Sequence, residues 1–500
     1  MSGYFFFNYN LFSASMSAST VERPLGLLEK YQVSKQLTQC YGTVTATAIL
    51  RHSPRKSPDD LKEFYFSRLH APLNRLVEKH PQLSLVVAES DKPTAHFIRL
   101  DQFNLSNIVK IDAADQVAFW DRSKLAKVIA NECDHEFNLD DHTIPLWHLR
   151  ICVHDDRLDE CSITFTAHHV IADGKSLAIF WKALFQEIDQ EEQLLRNTQE
   201  EGHDIIKPKV KGVLGVPYED RNAPMPTMMN MMGVVSQMVA KKVLPNALTK
   251  RWFPQCWAGD YPGITDKSKA RHDTIVRAIE LGGTVWKEVC TTCRKHGVTP
   301  HAAIMTAIIL AFNEVYPEVG TVSTGTPVNC RSFCNPPVSE EEMGNFVGAY
   351  NYTWKLTSQS LTEFWDIAKT YHTQLKANKG EAAKDAGLLK FLSKYPEDYC
   401  RFWYDHWVSN PTMHRVGGIE LSDLGRFIPF VKEETNNIWQ LESLWFCQSA
   451  QIFTTALNIN SISTKDSMYA TIGWQNGALD ESKADAFGPL VIQNLQKCYQ

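Results

Sequence analysis

The stretch CSITFTAHHVIADGKSLAIFWKALFQEI, residues 161–188, constrains the fold more than any other part of the chain. Its first half alternates, with Ile163, Phe165 and Ala167 on one side and Ser162, Thr164 and Thr166 on the other, which is the period of a strand. Its second half sets Leu177, Trp181, Leu184 and Ile188 on one helical stripe. A strand must therefore give way to an amphipathic helix across VIADG, and the residues at that junction are His168, His169, Asp173 and Gly174.

If the strand period continues, His169 joins the apolar face and His168 joins the threonines, so only one imidazole can face a given cavity. His169 is the better candidate, because a neutral ring in an apolar cleft keeps a nitrogen ready to take a proton. Gly174 is expected to supply torsions that a side chain would forbid, letting the loop turn tightly. Two supporting roles are open to Asp173: N-cap of the helix, or half of a buried ion pair. Read as metal ligands, His169 and Asp173 lack a third partner, and the sequence has no HExxH. Cys290 and Cys293 form a CxxC inside an expected helix, where thiols three apart commonly just pack, and Cys330 and Cys334 form a CxxxC. No metal is expected.

At 500 residues the chain is too long for one core and suggests two or three packed domains. Hydrophobic residues at 44% and charged residues at 22% are ordinary for a soluble protein. The net charge of −6 gives no overall basic field to hold nucleic acid or an anionic membrane. The longest apolar run, Ala302 to Phe312, falls far short of the roughly 20 residues of a membrane span and reads as a buried helix. The aromatic start MSGYFFFNYNLFSAS has no basic region and makes a poor secretory signal, so a cytoplasmic location with twelve free thiols is expected.

Residues 1–20 read as a loose tail, 21–190 as a first α/β domain, 191–265 as a crossover segment and 266–500 as a second α/β domain. In the first, residues 40–50 alternate as a strand, 59–81 form a helix, and LWHLRICVHD pairs with CSITFTAHH as antiparallel strands. In the second, Thr299 is the expected N-cap and Pro300 the first residue of a helix. The crossover carries MPTMMNMMGVVSQMV. A helix packed on the body is the favoured reading of that run; association with a lipid surface, there or through the aromatic N-terminus, is the other.

HHVIADG resembles the HHxxxDG signature of the chloramphenicol-acetyltransferase-like superfamily, which includes condensation domains, plant acyltransferases and fungal alcohol O-acetyltransferases. LVEKHPQLSLVV, PLWHLRICV, CRKHGVTPHAAIMTAIILAF, GTPVNCRSF, MGNFVGAY and IELSDLGRF resemble its other landmarks in order, from about residue 25 to the end. The fungal alcohol acetyltransferase branch fits best, since the DFGWG motif of the plant branch is absent.

The resemblance implies an α/β fold of two chloramphenicol-acetyltransferase-like domains, each a mostly antiparallel mixed sheet flanked by helices, with a tunnel at their interface. It implies no bound cofactor; acetyl-CoA or another acyl-CoA is a co-substrate, and the acceptor is a hydrophobic alcohol or secondary metabolite. His169 would be the general base. Asp173 would pair with Arg331 of VNCR to orient the loop, with His168 and Gly174 also structuring it. Ser422 and Asn345 stand in matching landmarks and read as loop-structuring residues. The partners implied are small molecules, with the chain a monomer. N-acylation or condensation-like amide formation, and a non-catalytic binding protein, are the alternatives.

Overall fold

The computed structural model describes residues 19–499 except 41, 56, 58–59, 114–117, 196–203, 210–211, 246–247, 249–255, 263–271, 357–362, 410–414 and 430–438. The expected tail therefore lies mostly outside the described residues, as does part of the crossover.

The first half runs β1 (Ser19–Pro24), α1 (Leu27–Leu37), β2 (Thr43–Arg51), α2 (Leu61–Lys79), β3 (Leu85–Ala88), β4 (His96–Leu100), β5 (Phe103–Asn104), α3 (Leu105–Ile108), β6 (Val109–Ala113), α4 (Arg122–Cys133), β7 (Trp147–His154), β8 (Arg157–His168) and α5 (Gly174–Leu195). β9 (Ile205–Ile206) and α6 (Met228–Val243) follow in the crossover. The second half runs β10 (Thr274–Gly282), α7 (Gly283–His296), α8 (Pro300–Val315), β11 (Thr321–Asn329), β12 (Val347–Lys355), α9 (Phe364–Ala386), α10 (Glu397–Ser409), β13 (Gly417–Arg426), β14 (Gln440–Gln448), β15 (Thr455–Ser463), β16 (Ser467–Gln475) and α11 (Glu481–Lys497).

Two mixed sheets organise these elements into an α/β fold. The first has the order β14-β2-β8-β7-β6, and the second β10-β16-β15-β13-β11-β12. Most pairings are antiparallel; β6 with β7, β11 with β13 and β13 with β15 are parallel. β7 and β8 pair antiparallel with Ile151 opposite Ile163, as their apolar alternation indicates. Leu177, Trp181, Leu184 and Ile188 of α5 are all buried in the first core, where Phe165 and Phe180 stack with centroids 3.7 Å apart. α8 is the spine of the second core: ten of its residues are buried, Thr299 caps Ala302 N, and Pro300 opens the helix.

One strand crosses over. β14 comes from the second half of the chain but closes the edge of the first sheet, with Phe446 opposite Ala46 and Gln448 opposite Val44. Residues Ser443 to Gln448 are buried throughout, so both faces of this strand are covered, while β2 supplies its backbone partner along one edge. A division of the chain near residue 266 follows sequence order, whereas in space the two halves are stitched together by β14.

The crossover forms the expected helix and leaves one face of it open. A helix forms over Met228–Val243, begun by a reciprocal capping box between Thr227 and Asn230. Met228, Met229, Met232, Val235, Val239 and Val243 are exposed, while Met231 and Ala240 are half-buried. The entry to the helix is anchored: Met225 and Pro226 lie against Gly387, and Lys390 Nζ donates to the Pro226 carbonyl. Among the described residues no single helix is long and apolar enough to cross a membrane.

Candidate active site

β8 ends at His168, so the alternation that was expected to aim His169 stops one residue short of it. His168 is fully buried, on the face of β8 that carries Thr164 and Thr166. Val170 N donates to its Nδ1 at 2.9 Å, which leaves the ring proton on Nε2, 2.8 Å from Gln36 Oε1 on α1. Burial lowers its pKa to about 3, helped by the neighbouring His169. Both nitrogens of His168 are thus committed to holding the turn.

His169 is different. It stands in the turn itself and keeps part of its surface exposed. Its carbonyl accepts a hydrogen bond from Asn345 Nδ2 at 3.3 Å, which ties the turn to the second half of the chain. Desolvation lowers its pKa to about 4, and the positive charge of Lys35 acts in the same direction; a hydrogen bond to its own backbone and the Asp173 carboxylate pull the other way. The ring is therefore neutral at pH 7, the form that can accept a proton.

Asp173 fills both roles that were open to it. As N-cap its Oδ1 accepts from Ser176 N at 2.8 Å. Its carboxylate also meets Arg331 in a two-pronged pair, Nη1 to Oδ2 at 2.7 Å and Nη2 to Oδ1 at 3.1 Å, and Oδ2 accepts from Phe346 N at 3.1 Å. Asp173 is 1% exposed and Arg331 0%. Burial pushes the carboxyl up, but Arg331 and the Ser176 donors outweigh it and hold it below the usual carboxylate range. Asp173 N also donates to Gly344 O, and Gly344 N to Ser176 Oγ, so two halves of the chain interlock at this point.

Gly174 is needed for room rather than torsion. Its backbone is not in the left-handed region. A Cβ there would lie 2.7 Å from Leu424 Cδ2 and 3.4 Å from Phe446 Cζ, so its absence lets β13 and β14 approach the start of α5.

Three further polar groups near the turn carry no motif. Lys35 Nζ sits 5.2 Å from the ring centroids of both Tyr31 and Trp403. Glu420 accepts from Gln448 Nε2 at 2.6 Å, and burial raises its pKa against the opposing pull of Gln448 and Lys35. Lys35 comes from α1, Glu420 from β13 and Gln448 from β14, and nothing in their local sequence distinguishes them. The alternation of β13 was the one available signal: Ile419 and Leu421 enter the second core, which leaves Glu420 and Ser422 on its other face. Ser422 and Asn345 are both buried.

Two cavities flank the turn. One, of about 20 Å³ or room for a single water, is lined by Gln82, Ile171, Gly344, Asn345 and Phe346 among others. The other, of about 480 Å³, opens beside α1 at Gln36, Asp91, Glu136, Phe137 and Asp140. His169 lines neither. All twelve cysteines are free thiols, and among the described residues no group of three acidic, histidine or cysteine side chains could hold a metal ion.

The model of the alcohol acetyltransferase family matches residues 24–481. The chain belongs to that family. It is accordingly an acyltransferase, with an acyl donor and an acceptor as substrates. No curated protein matches it. Among solved structures this alcohol acetyltransferase family member is similar to TRI3 trichothecene 15-O-acetyltransferase from Fusarium sporotrichioides, at 14% identity over 96% of this chain and 95% of that one, with a TM-score of 0.64. It is also similar to the epimerization domain from the third module of tyrocidine synthetase B, at 13% identity, 97% and 98% coverage and a TM-score of 0.60. A third likeness is polyketide synthase associated protein 5 from Mycobacterium tuberculosis, at 15% identity, 96% and 100% coverage and a TM-score of 0.57. At such identities the likeness establishes the two-lobed fold and nothing finer.

Proposed function

We propose that this acyltransferase moves an acetyl group from acetyl-CoA to the hydroxyl of a hydrophobic alcohol or secondary metabolite, with His169 as general base. The observation that carries the proposal is the contrast at the turn: His168 is fully buried and committed at both nitrogens, while His169 keeps a neutral ring, is not fully buried as a residue, and has its carbonyl held by Asn345. The family match supports the alcohol acceptor, and the O-acetyltransferase likeness agrees with it.

In the proposed reaction the acceptor hydroxyl gives its proton to His169 as its oxygen attacks the thioester carbonyl. The tetrahedral adduct then collapses, the carbon–sulfur bond breaks, and the imidazolium returns the proton to the departing CoA sulfur. One base serves both steps and no covalent enzyme intermediate forms. Acyl-CoA and acceptor would meet in a tunnel at the junction of the lobes. Arg331 and Asp173 would act as positioning residues, keeping the turn where the oxygen arrives. The site of action would be the cytoplasm.

The test is thiol release from acetyl-CoA in the presence of a panel of alcohols and amines, for the wild type and His169→Ala. General-base assistance is worth roughly 10²- to 10⁴-fold, and we expect alcohol-dependent release to fall by about that factor. Undiminished release in the variant removes His169 as the base, and release only with amines removes the alcohol.

A further inference from the structure

Among the described residues, the exposed face of helix α6 is an extended apolar surface that the proposed chemistry leaves unused. Met228, Met232, Val235, Val239 and Val243 follow one another at intervals of four, three, four and four, which brings them onto one side of the helix. They are 68, 68, 44, 52 and 75% exposed. Asn230 falls on the opposite side by the same geometry, and Met231, between the two, is half-buried. Five large apolar side chains aligned in water along sixteen residues form a patch that soluble proteins normally cover.

The charge around the helix argues for what covers it. Residues 222–259 contain Lys241, Lys242, Lys250 and Arg251 and not a single acidic residue, in a chain whose net charge is −6. A protein partner for an apolar stripe does not call for this local reversal of sign, whereas a lipid surface with anionic headgroups does. The stripe enters the headgroup boundary and the basic residues meet the lipid charge, while the acidic remainder of the molecule is held away. The helix root is suited to the task, because Met225 and Pro226 are clamped against Gly387 and Lys390 at the body while the five stripe residues stay exposed.

We propose that α6 is an interfacial helix that docks this enzyme on an anionic phospholipid surface, lying in the plane of the interface with Met228, Met232, Val235, Val239 and Val243 inserted. The docking is independent of the reaction at His169, so its test does not use activity. The full chain is mixed with vesicles of phosphatidylcholine alone or of phosphatidylcholine with phosphatidylserine, and the partition is read by flotation at low and high salt.

The expected result is partition onto the mixed vesicles, weakened by salt, and much less onto phosphatidylcholine alone. Met232→Glu with Val239→Glu should reduce it by about tenfold or more, since each side chain gives up apolar burial at the interface. Lys241→Gln with Lys242→Gln should reduce it by about fivefold per lysine. Thermal unfolding of each variant is run beside the flotation, and the lysine pair keeps the test alive if the glutamate pair does not fold. Absence of binding to mixed vesicles overturns the proposal, as does equal binding to both kinds or retained binding in folded variants. So does a wild-type dimer in sedimentation that the glutamate pair turns into monomer, which would assign the stripe to a second copy of the chain.

Discussion

The histidine turn and the crossover helix α6 both connect larger elements, yet they are built in opposite ways. In the turn, Asp173 accepts from Arg331, Ser176 and Phe346, His168 uses both its nitrogens, and Asn345 holds the His169 carbonyl. Every one of these contacts except the His168 bonds and the Ser176 cap reaches from one half of the chain to the other. In α6 six large apolar side chains stand out in water, and the entry is fixed to the body at Gly387 and Lys390. The difference teaches where each region gets its shape: the turn from polar groups that must find partners when buried, the start of the helix from its local capping box.

The largest effect that would break this comparison belongs to Arg331. Arg331→Met leaves the Asp173 carboxylate buried without its cation, which should cost about 3–5 kcal/mol in chemical denaturation at neutral pH. The sign of its pH dependence is fixed. In the wild type the carboxyl is held below its ordinary range, so the pair's stabilisation is present at neutral pH and is lost as pH falls through the folded value. In the variant burial favours the protonated acid, and the deficit should shrink as the medium is acidified. A loss below about 1 kcal/mol would mean that the turn is held by its backbone bonds and not by the pair.

A smaller effect is expected at Gly174. A methyl group there must displace Leu424 and press on Phe446, but Leu424 Cδ2 is the tip of a movable side chain. Gly174→Ala should therefore destabilise by about 1 kcal/mol, with thermal unfolding as the measurement. If the substitution is neutral, the close approach of β13 and β14 to α5 is not what selects glycine at this position.

How much of this was legible beforehand follows the same division. The strand, the turn and the stripe Leu177, Trp181, Leu184 and Ile188 could be read because hydrophobic period and a dense run of polar residues coincide in one short segment. Thr299 and Pro300 marked the start of α8 by capping chemistry that is local. β14 could not be placed, because its apolar run LWFC says that the strand is covered on both faces and gives no hint of which sheet it joins. The two supporting roles of Asp173 could be named, and the structure joins them. Lys35, Glu420 and Gln448 were invisible: each is an ordinary residue on its own element, and only the meeting of α1, β13 and β14 near the turn gives them a shared environment. The open face of α6 was not legible because an apolar stripe says that a helix has a face and not what lies against it.

Lys35 offers a subtler test of the turn. Its charge helps to hold the His169 pKa at about 4, along with burial, and His168 and Asp173 are the other titrating groups beside the ring. A base works only when deprotonated, so the acid limb of the kcat/KM profile should lie near pH 4. Lys35→Met removes the cation and lets the His169 pKa rise, so the limb should move to higher pH while activity on the alkaline side is retained. A limb that stays in place would show that burial alone sets the ring, and a uniform loss at all pH values would assign Lys35 a structural role.

The smallest effect is expected on α6, and it sharpens the comparison from the other side. Met232 and Val239 are 68% and 52% exposed, so replacing each by Gln removes little surface that folding had buried. Neither side chain is among the groups that anchor the helix entry at Gly387 and Lys390. Exposed substitutions of this kind usually change stability within about 0.5 kcal/mol, and Gln has a good helix propensity. Met232→Gln with Val239→Gln should therefore leave the unfolding free energy almost unchanged while making the surface less apolar, the reverse of Arg331→Met. A loss of more than about 1.5 kcal/mol, approaching the cost of a truncated core residue, would mean that the stripe packs on the body in solution, and α6 would then be held as the turn is held, by contacts with the rest of the chain.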